Sequence, residues 1–482
     1  MMTSHRLHQR RLFFSLRGMK RTQINIAVGG AGLVVLSFVL RLHQLARTSF
    51  SIDESSSLFF STFPEWRALF WDNHPPLYHL ILKGWLAIFP LSEMGARSLS
   101  VAFSVIGVIA LVAAGYFSGQ IKRGFAAGLL LAASCLSIRY AQEARMYAMV
   151  EAMAAVQLAA VLYILSRRKS KAGGAVLIGG AFVSAATHLL GLISTFVLMP
   201  ILIQKRTLRQ KRLISFVVIS FIALSAAFAF FRFDSRYVEW QRLSYALSGQ
   251  VLINLGDFVL AFGQKDLWVS LIFFALALFS LRHPDALQRK LARTLVFGIA
   301  IILFAASVAE WSALRRVLVP RYFIFFNPYL IWLAVLGAEV VMSKITRAAL
   351  AKALGFALLV SFCVFVSNAY KYVKPKWREM AAFAQQQSVG LVMSTRPRGF
   401  GVPYYSNALI PYQQFVYSPD FIDVLKFEIE VYGRVMIMDD NINKLNYFVP
   451  LLLELNAKRI PHETYDFVDQ EAGSVFGIIV HK

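Results

Sequence analysis

The sequence predicts a mainly α-helical, polytopic transmembrane bundle followed by a small extracytoplasmic α/β domain. Three observations carry this prediction. Of 482 residues, 57% are hydrophobic and only 16% are charged, and the mean hydropathy is +0.58, far above ordinary soluble domains. The apolar residues fall in uninterrupted runs of roughly 17 to 23, long enough to cross about 30 Å of hydrocarbon as helices. The basic residues gather in alternate loops between those runs. A water-soluble enzyme and a disordered tail are both excluded. The two cysteines, Cys135 and Cys363, lie inside apolar runs, so no disulfide framework or paired-cysteine metal site is expected.

In chain order, eleven spans are expected near 22–41, 97–117, 125–138, 146–165, 173–188, 189–203, 213–232, 267–281, 294–311, 321–342 and 348–369. The first is read as an uncleaved helix, because its run exceeds a signal-peptide core and no small-x-small site follows. With residue 1 on the cytoplasmic side, the inside segments are 1–21, 118–124, 166–172, 204–212, 282–293 and 343–352. They hold 24 Lys and Arg against one acid, Asp285. Nearly the whole formal charge of +24 is therefore a positive-inside signal, and no nucleic-acid partner is expected. The apolar stretch Pro75 to Pro90 is short and carries Lys83. Were it a span, the basic loops beyond it would face outward, so it is read as an interfacial helix. Residues 42–96, 139–145, 233–266 and 312–320 then face outward. The expected domains are 1–369 in the membrane and 370–482 outside. In the latter, 389–395, 433–439 and 474–480 read as short buried strands.

Candidate chemistry crowds the outer boundary. The first outer loop begins SFSIDESSS, with Asp53 and Glu54 adjacent. A carboxylate beside apolar walls gains basicity and suits a general base, while acid-Ser-Ser before LFFSTF also reads as a helix start. Asp72 and His74 precede Pro75-Pro76, a stiff turn that opens the interfacial helix. The loop SIRYAQEARMYAM packs Arg139, Gln142, Glu143 and Arg145 between two spans, where ions need partners: either Glu143 pairs with Arg139 or Arg145, or the loop faces Asp53. Arg97, Arg315, Arg316 and Arg321 sit at the same outer level, and arginine suits bidentate phosphate binding. Inside the spans, ionisable residues are few: Glu151, His188, Glu310 and Glu339. Ion-coupled transport would place such groups at the midplane, whereas charge here gathers at the lipid–water boundary.

Asp53-Glu54, then HPPLYHLILKGW, ARSLSVAFSVIGV, RYAQEARMYAM and finally KPKWREMAAF occur in that order. The chain resembles the bacterial GT-C glycosyltransferases of the protein O-mannosyltransferase and aminoarabinose lipid A transferase superfamily, most fully over its first ~150 residues. One departure is RSLS where the commoner pattern has RLPS. The resemblance implies transfer of a monosaccharide, with inversion, from a polyprenyl-phosphate donor to a lipid, glycan or protein hydroxyl on the extracytoplasmic face. It implies Asp53 as general base with Glu54 as neighbour and possible substitute, and Glu143 as the acid of the second loop. The chemistry of the boundary itself makes Arg97, Arg145 and Arg321 the expected donor-phosphate ligands, Arg321 without a family motif to anchor it, and His74, Gln142 and Tyr147 are expected to line the cavity. Some relatives bind a divalent metal near the two acidic loops, for which Asp53, His74 and Glu143 are the candidate ligands. A flippase or carrier for lipid-linked saccharides is the competing reading.

Overall fold

A computed structural model of the chain describes residues 21–70, 72, 74–166, 171–203, 251–313, 318–345, 348–371, 377–394, 412–414, 421–440, 449–467 and 475–481. The helices among them are α1 (Arg21–Leu42), α2 (Ile52–Thr62), α3 (Leu77–Leu86), α4 (Glu93–Phe117), α5 (Ile121–Ala132), α6 (Cys135–Ala141), α7 (Tyr147–Ser166), α8 (Lys171–Thr187), α9 (Ile193–Ile203), α10 (Val251–Phe262), α11 (Leu267–Phe279), α12 (Ala286–Ala313), α13 (Asn327–Ser343), α14 (Ala348–Val364), α15 (Trp377–Gln386), α16 (Phe421–Tyr432) and α17 (Val449–Ala457). The strands are β1 (Leu391–Ser394), β2 (Tyr412–Gln414), β3 (Arg434–Asp440), β4 (His462–Phe467) and β5 (Val475–His481). Contacts divide the chain into two units. One holds Met1–His43, Val101–Ile138 and Ala148–Phe365, the other Gln44–Ser100, Arg139–Tyr147 and Val366–Lys482.

The first unit carries most of the apolar helix. Among the described residues, five helices are long and apolar enough to cross a membrane, namely α1, α4, α7, α12 and α13 with its 3₁₀ lead-in, and seven if each of two bent pairs is one span. Eleven spans are therefore not all realised as long helices. The run 125–138 breaks into α5 and α6 at 59°, and 173–188, 189–203 and 348–369 form the shorter helices α8, α9 and α14. The run 213–232 lies outside the described residues. The segment 233–266, expected as an outer loop, ends in the helix α10, which turns 80° into α11.

Breaking a helix in hydrocarbon orphans backbone groups that water cannot satisfy. At the α5–α6 break, side chains take over that role. The guanidinium of Arg41, wholly buried, donates to Ala132 O (3.0 Å) and Leu131 O (3.2 Å). Gln264 donates to Ala133 O (2.8 Å) and accepts from the amide of Cys135 (2.6 Å). Beyond the break, Ser137 Oγ and Asn327 Nδ2 each donate to a Glu151 oxygen at 2.7 Å. Glu310 likewise accepts from Asn254 and from the amide of Leu318, both at 2.6 Å. These buried acids are fixed by hydrogen bonds within the bundle. Close helix approach uses glycine: a Cβ at Gly337 of α13 would stand 1.7 Å from Leu276 O of α11, a contact only a bare Cα permits.

In the second unit a five-stranded sheet of order β2-β1-β3-β5-β4 has β1 parallel to β2 and β3, with β5 antiparallel to β3 and β4. Period-two alternation sends Leu391, Met393, Val435, Ile437, Ile478 and Val480 to one face, against α16 and α17. Val392, Met436, Met438 and Ile479 go to the other, against Trp377, Met380, Ala381 and Ala384 of α15. Both faces are covered, which is why these strands read as continuous apolar runs. The helix expected between Pro75 and Pro90 is α3; its ten residues span about 15 Å, half of what a bilayer crossing needs.

Candidate active site

The site is built within the second unit by the start of α2, the Asp72 turn, α3, the first turns of α4 and the loop 139–147. Helix α2 starts at Ser51, whose extended backbone and hydroxyl form a reciprocal capping box with Glu54. Ser51 Oγ accepts from the Glu54 amide at 3.3 Å, and Glu54 Oε2 accepts from the Ser51 amide at 2.8 Å. The acids are thus second and third residues of the helix rather than its cap, favourably placed near the positive helix end.

Glu54 and Arg97 do not have the roles expected of them. Glu54 is 0% exposed and Arg97 1%. Arg97 Nε meets Glu54 Oε1 at 2.8 Å and Nη2 meets Oε2 at 3.2 Å. The remaining Arg97 protons go to Leu45 O (2.7 Å), Thr48 O (2.9 Å) and Ser49 O (2.9 Å). Five N–H groups meet five acceptors, so none is left for a phosphate. Glu54 Oε1 also accepts from the amide of Ala144 at 3.0 Å. A carboxylate sealed by one arginine and two amides cannot reach an acceptor hydroxyl, so Glu54 is no substitute base. The pair instead ties α2, α4 and the loop 139–147 together.

Asp53, by contrast, is partly exposed. Its backbone carbonyl accepts from Arg145 Nη1 at 3.1 Å, and the same nitrogen donates to Ser57 Oγ at 2.9 Å and stands 3.8 Å from Asp72 Oδ2. The loop therefore does face Asp53, through Arg145. Its register is fixed by Ser100 Oγ, which donates to Arg145 O (3.2 Å) and shares a hydrogen bond with Tyr78 OH (3.1 Å). Sequence reasoning did not single out His79. It is fully buried on α3, with Nε2 2.8 Å from Asp72 Oδ2. Burial works against the Asp72 charge, but the His79 hydrogen bond and the Arg145 guanidinium outweigh it and hold the carboxyl well below its ordinary range. The only sequence signal for His79 is a histidine in the first turn of an amphipathic helix behind a fixed Pro-Pro turn.

Other expected residues are placed as follows. His74 is half-buried beside the Asp72 turn and Gln142 half-buried in the loop, while Glu143 is 6% and Tyr147 2% exposed. The Tyr147 ring meets Tyr140 edge-on at 5.2 Å. Arg321 lies in the first unit, in the 3₁₀ segment Pro320–Phe326, with its guanidinium 5.5 Å from the Tyr322 ring. Arg315 and Arg316 lie outside the described residues. Arg378 of the KPKWRE motif donates to Glu93 at the start of α4, and its amide to Ser49 Oγ at 3.2 Å. Among the described residues, no three His, Cys, Asp or Glu side chains gather to hold a metal ion. Asp53, His74 and Glu143 are therefore not brought together as a ligand set.

No protein-family model and no curated protein sequence matches the chain. Solved structures do. ArnT from Cupriavidus metallidurans in the apo state superposes with a TM-score of 0.58 at 14% identity, over 95% of this chain and 98% of that one. The same protein bound to undecaprenyl phosphate gives 0.55 at 14% identity, over 94% and 97%. The archaeal oligosaccharyltransferase AglB from Archaeoglobus fulgidus, in complex with an inhibitory peptide and a dolichol-phosphate, gives 0.50 at 10% identity, over 92% and 74%. The chain shares the fold of these structures.

Proposed function

We propose that this chain is a polyprenyl-phosphate-sugar-dependent glycosyltransferase of a bacterial inner membrane, acting on a hydroxyl acceptor at the extracytoplasmic face. The observation that carries the reading is the division of labour at the start of α2: Glu54 is sealed into scaffolding while Asp53, one residue earlier, stays partly open beside Arg145. The structural likeness to proteins solved with undecaprenyl phosphate and with a dolichol-phosphate supports the donor class. The distribution of basic loops supports an orientation with residue 1 and the loops 118–124 and 282–293 in the cytoplasm.

In the reaction, the acceptor oxygen forms a bond to the anomeric carbon from the face opposite the phosphate. The bond from that carbon to the phosphate oxygen breaks, its electron pair leaves with polyprenyl phosphate, and the configuration inverts. Asp53 takes the hydroxyl proton, a contribution on the order of 10²–10⁴-fold. Arg145, anchored on the Asp53 carbonyl and Ser57, stabilises charge on the departing phosphate. His79 and Asp72 hold that arginine in place.

The test is mass spectrometry of envelope lipids and glycans from a deletion strain complemented with wild type or Asp53→Asn. One monosaccharide should be absent in the deletion and remain absent with Asp53→Asn. Restoration by Asp53→Asn overturns the assignment of the base. Loss of lipid translocation with sugar transfer intact in a purified assay would make the chain a carrier.

A further inference from the structure

The proposed reaction leaves a cavity in the first unit unused. It has a volume of about 490 Å³, within the range of roughly 300–1,000 Å³ typical of ligand sites. Its walls are apolar side chains of α5, α11, α13 and α14, among them Leu130, Phe273, Ala338 and Phe362. One end is different: Gln120, Lys122, Arg123 and Glu339 line it.

That end is a built cationic site. Arg123 is 6% exposed and grips Glu339 with Nε at 2.8 Å and Nη2 at 2.7 Å. His283 Nε2 stands 3.2 Å from the same carboxylate, so the acid is met from two sides. Arg123 Nη1, however, has no hydrogen-bond partner among the described residues, which is costly for a buried guanidinium. Lys122 beside it is exposed. Two of the basic loops, 118–124 and 282–293, reach this end through Arg123 and His283.

We propose that this cavity binds one anionic glycerophospholipid from the leaflet bordering the basic loops. An acyl chain lies along the apolar walls, and the phosphate is held by Arg123 Nη1 and Lys122. A free phosphate would leave the apolar length unused, and a zwitterionic lipid would bring its own cation to Lys122. A lipid with a net negative head group satisfies both ends. Residues that bear on sugar transfer take no part, so this proposal stands apart from the glycosyltransferase reading.

The experiment is native mass spectrometry of the full chain in detergent, titrated with phosphatidylglycerol or with phosphatidylcholine of the same acyl chains. One phosphatidylglycerol should be retained about fivefold or more tightly than phosphatidylcholine, as one favourable basic contact implies. Lys122→Glu should weaken that binding by about the same factor. Ala338→Phe, which fills the cavity without touching charge, should weaken both lipids. Lys426→Glu, on α16 of the other unit, should change nothing. Equal affinity for the two lipids, or an effect of Lys426→Glu as large as that of Lys122→Glu, overturns the proposal, as does unchanged binding in Ala338→Phe.

Discussion

Two arginines of the second unit each face a carboxylate, and their surroundings differ in kind. Arg97 has every proton committed to Glu54 or to a carbonyl, and both partners are buried. Arg145 stands 3.8 Å from the Asp72 carboxylate and donates to the Asp53 backbone carbonyl and to Ser57 Oγ. A saturated pair defines position and has nothing to offer a ligand. Arg145, beside the partly exposed Asp53, is the one the proposed reaction uses.

The comparison can be broken at several points. Arg97→Ala should destabilise the protein by about 3–5 kcal/mol, because it strands a buried carboxylate; a melting temperature within a degree or two of wild type would remove the scaffold reading. Asp53→Asn should lower transfer by about 10²–10⁴-fold with the melting temperature unchanged, so that the two variants fail in opposite assays. Arg145→Gln should cost about 10²-fold in kcat, with Arg145→Lys recovering part of it. His79→Phe should cost about tenfold, the value of one hydrogen bond to a charged group, and act through Asp72. In the fold the Asp72 carboxyl is held below its ordinary value of 3.8. Its stabilising contribution is therefore complete above that pH and is lost only as pH falls through the depressed value. His79→Phe should move that acid loss to higher pH, which a melting series from pH 2.5 to 6 would detect.

Legibility in the sequence followed burial. Strands expected at 389–395, 433–439 and 474–480 are β1, β3 and β5, because both faces are covered and the apolar runs are unbroken. The edge strands β2 and β4 were not singled out: YQQ and HETYDF carry mostly polar residues and have little run to read. The break at Ala133 and Ser134 is hidden inside one apolar run, since the groups that satisfy it, Arg41 and Gln264, are remote in sequence. A helix start was legible at acid-Ser-Ser, although the cap is Ser51, two residues before the acids. The sealing of Glu54 was not, because its partner Arg97 lies 43 positions away. His79 sat inside an apolar stretch, with only its place behind the Pro-Pro turn to mark it.

The capping box has one last consequence. Adjacent positions on a helix diverge by about 100°, and Glu54 is locked in direction by Ser51 on one side and Arg97 on the other. Under the proposed function the two neighbouring letters D and E are orthogonal instructions, one for assembly and one for reactivity. A homologue that kept the second letter and changed the first would be built correctly and remain mute, and that single column would distinguish working copies from silent ones.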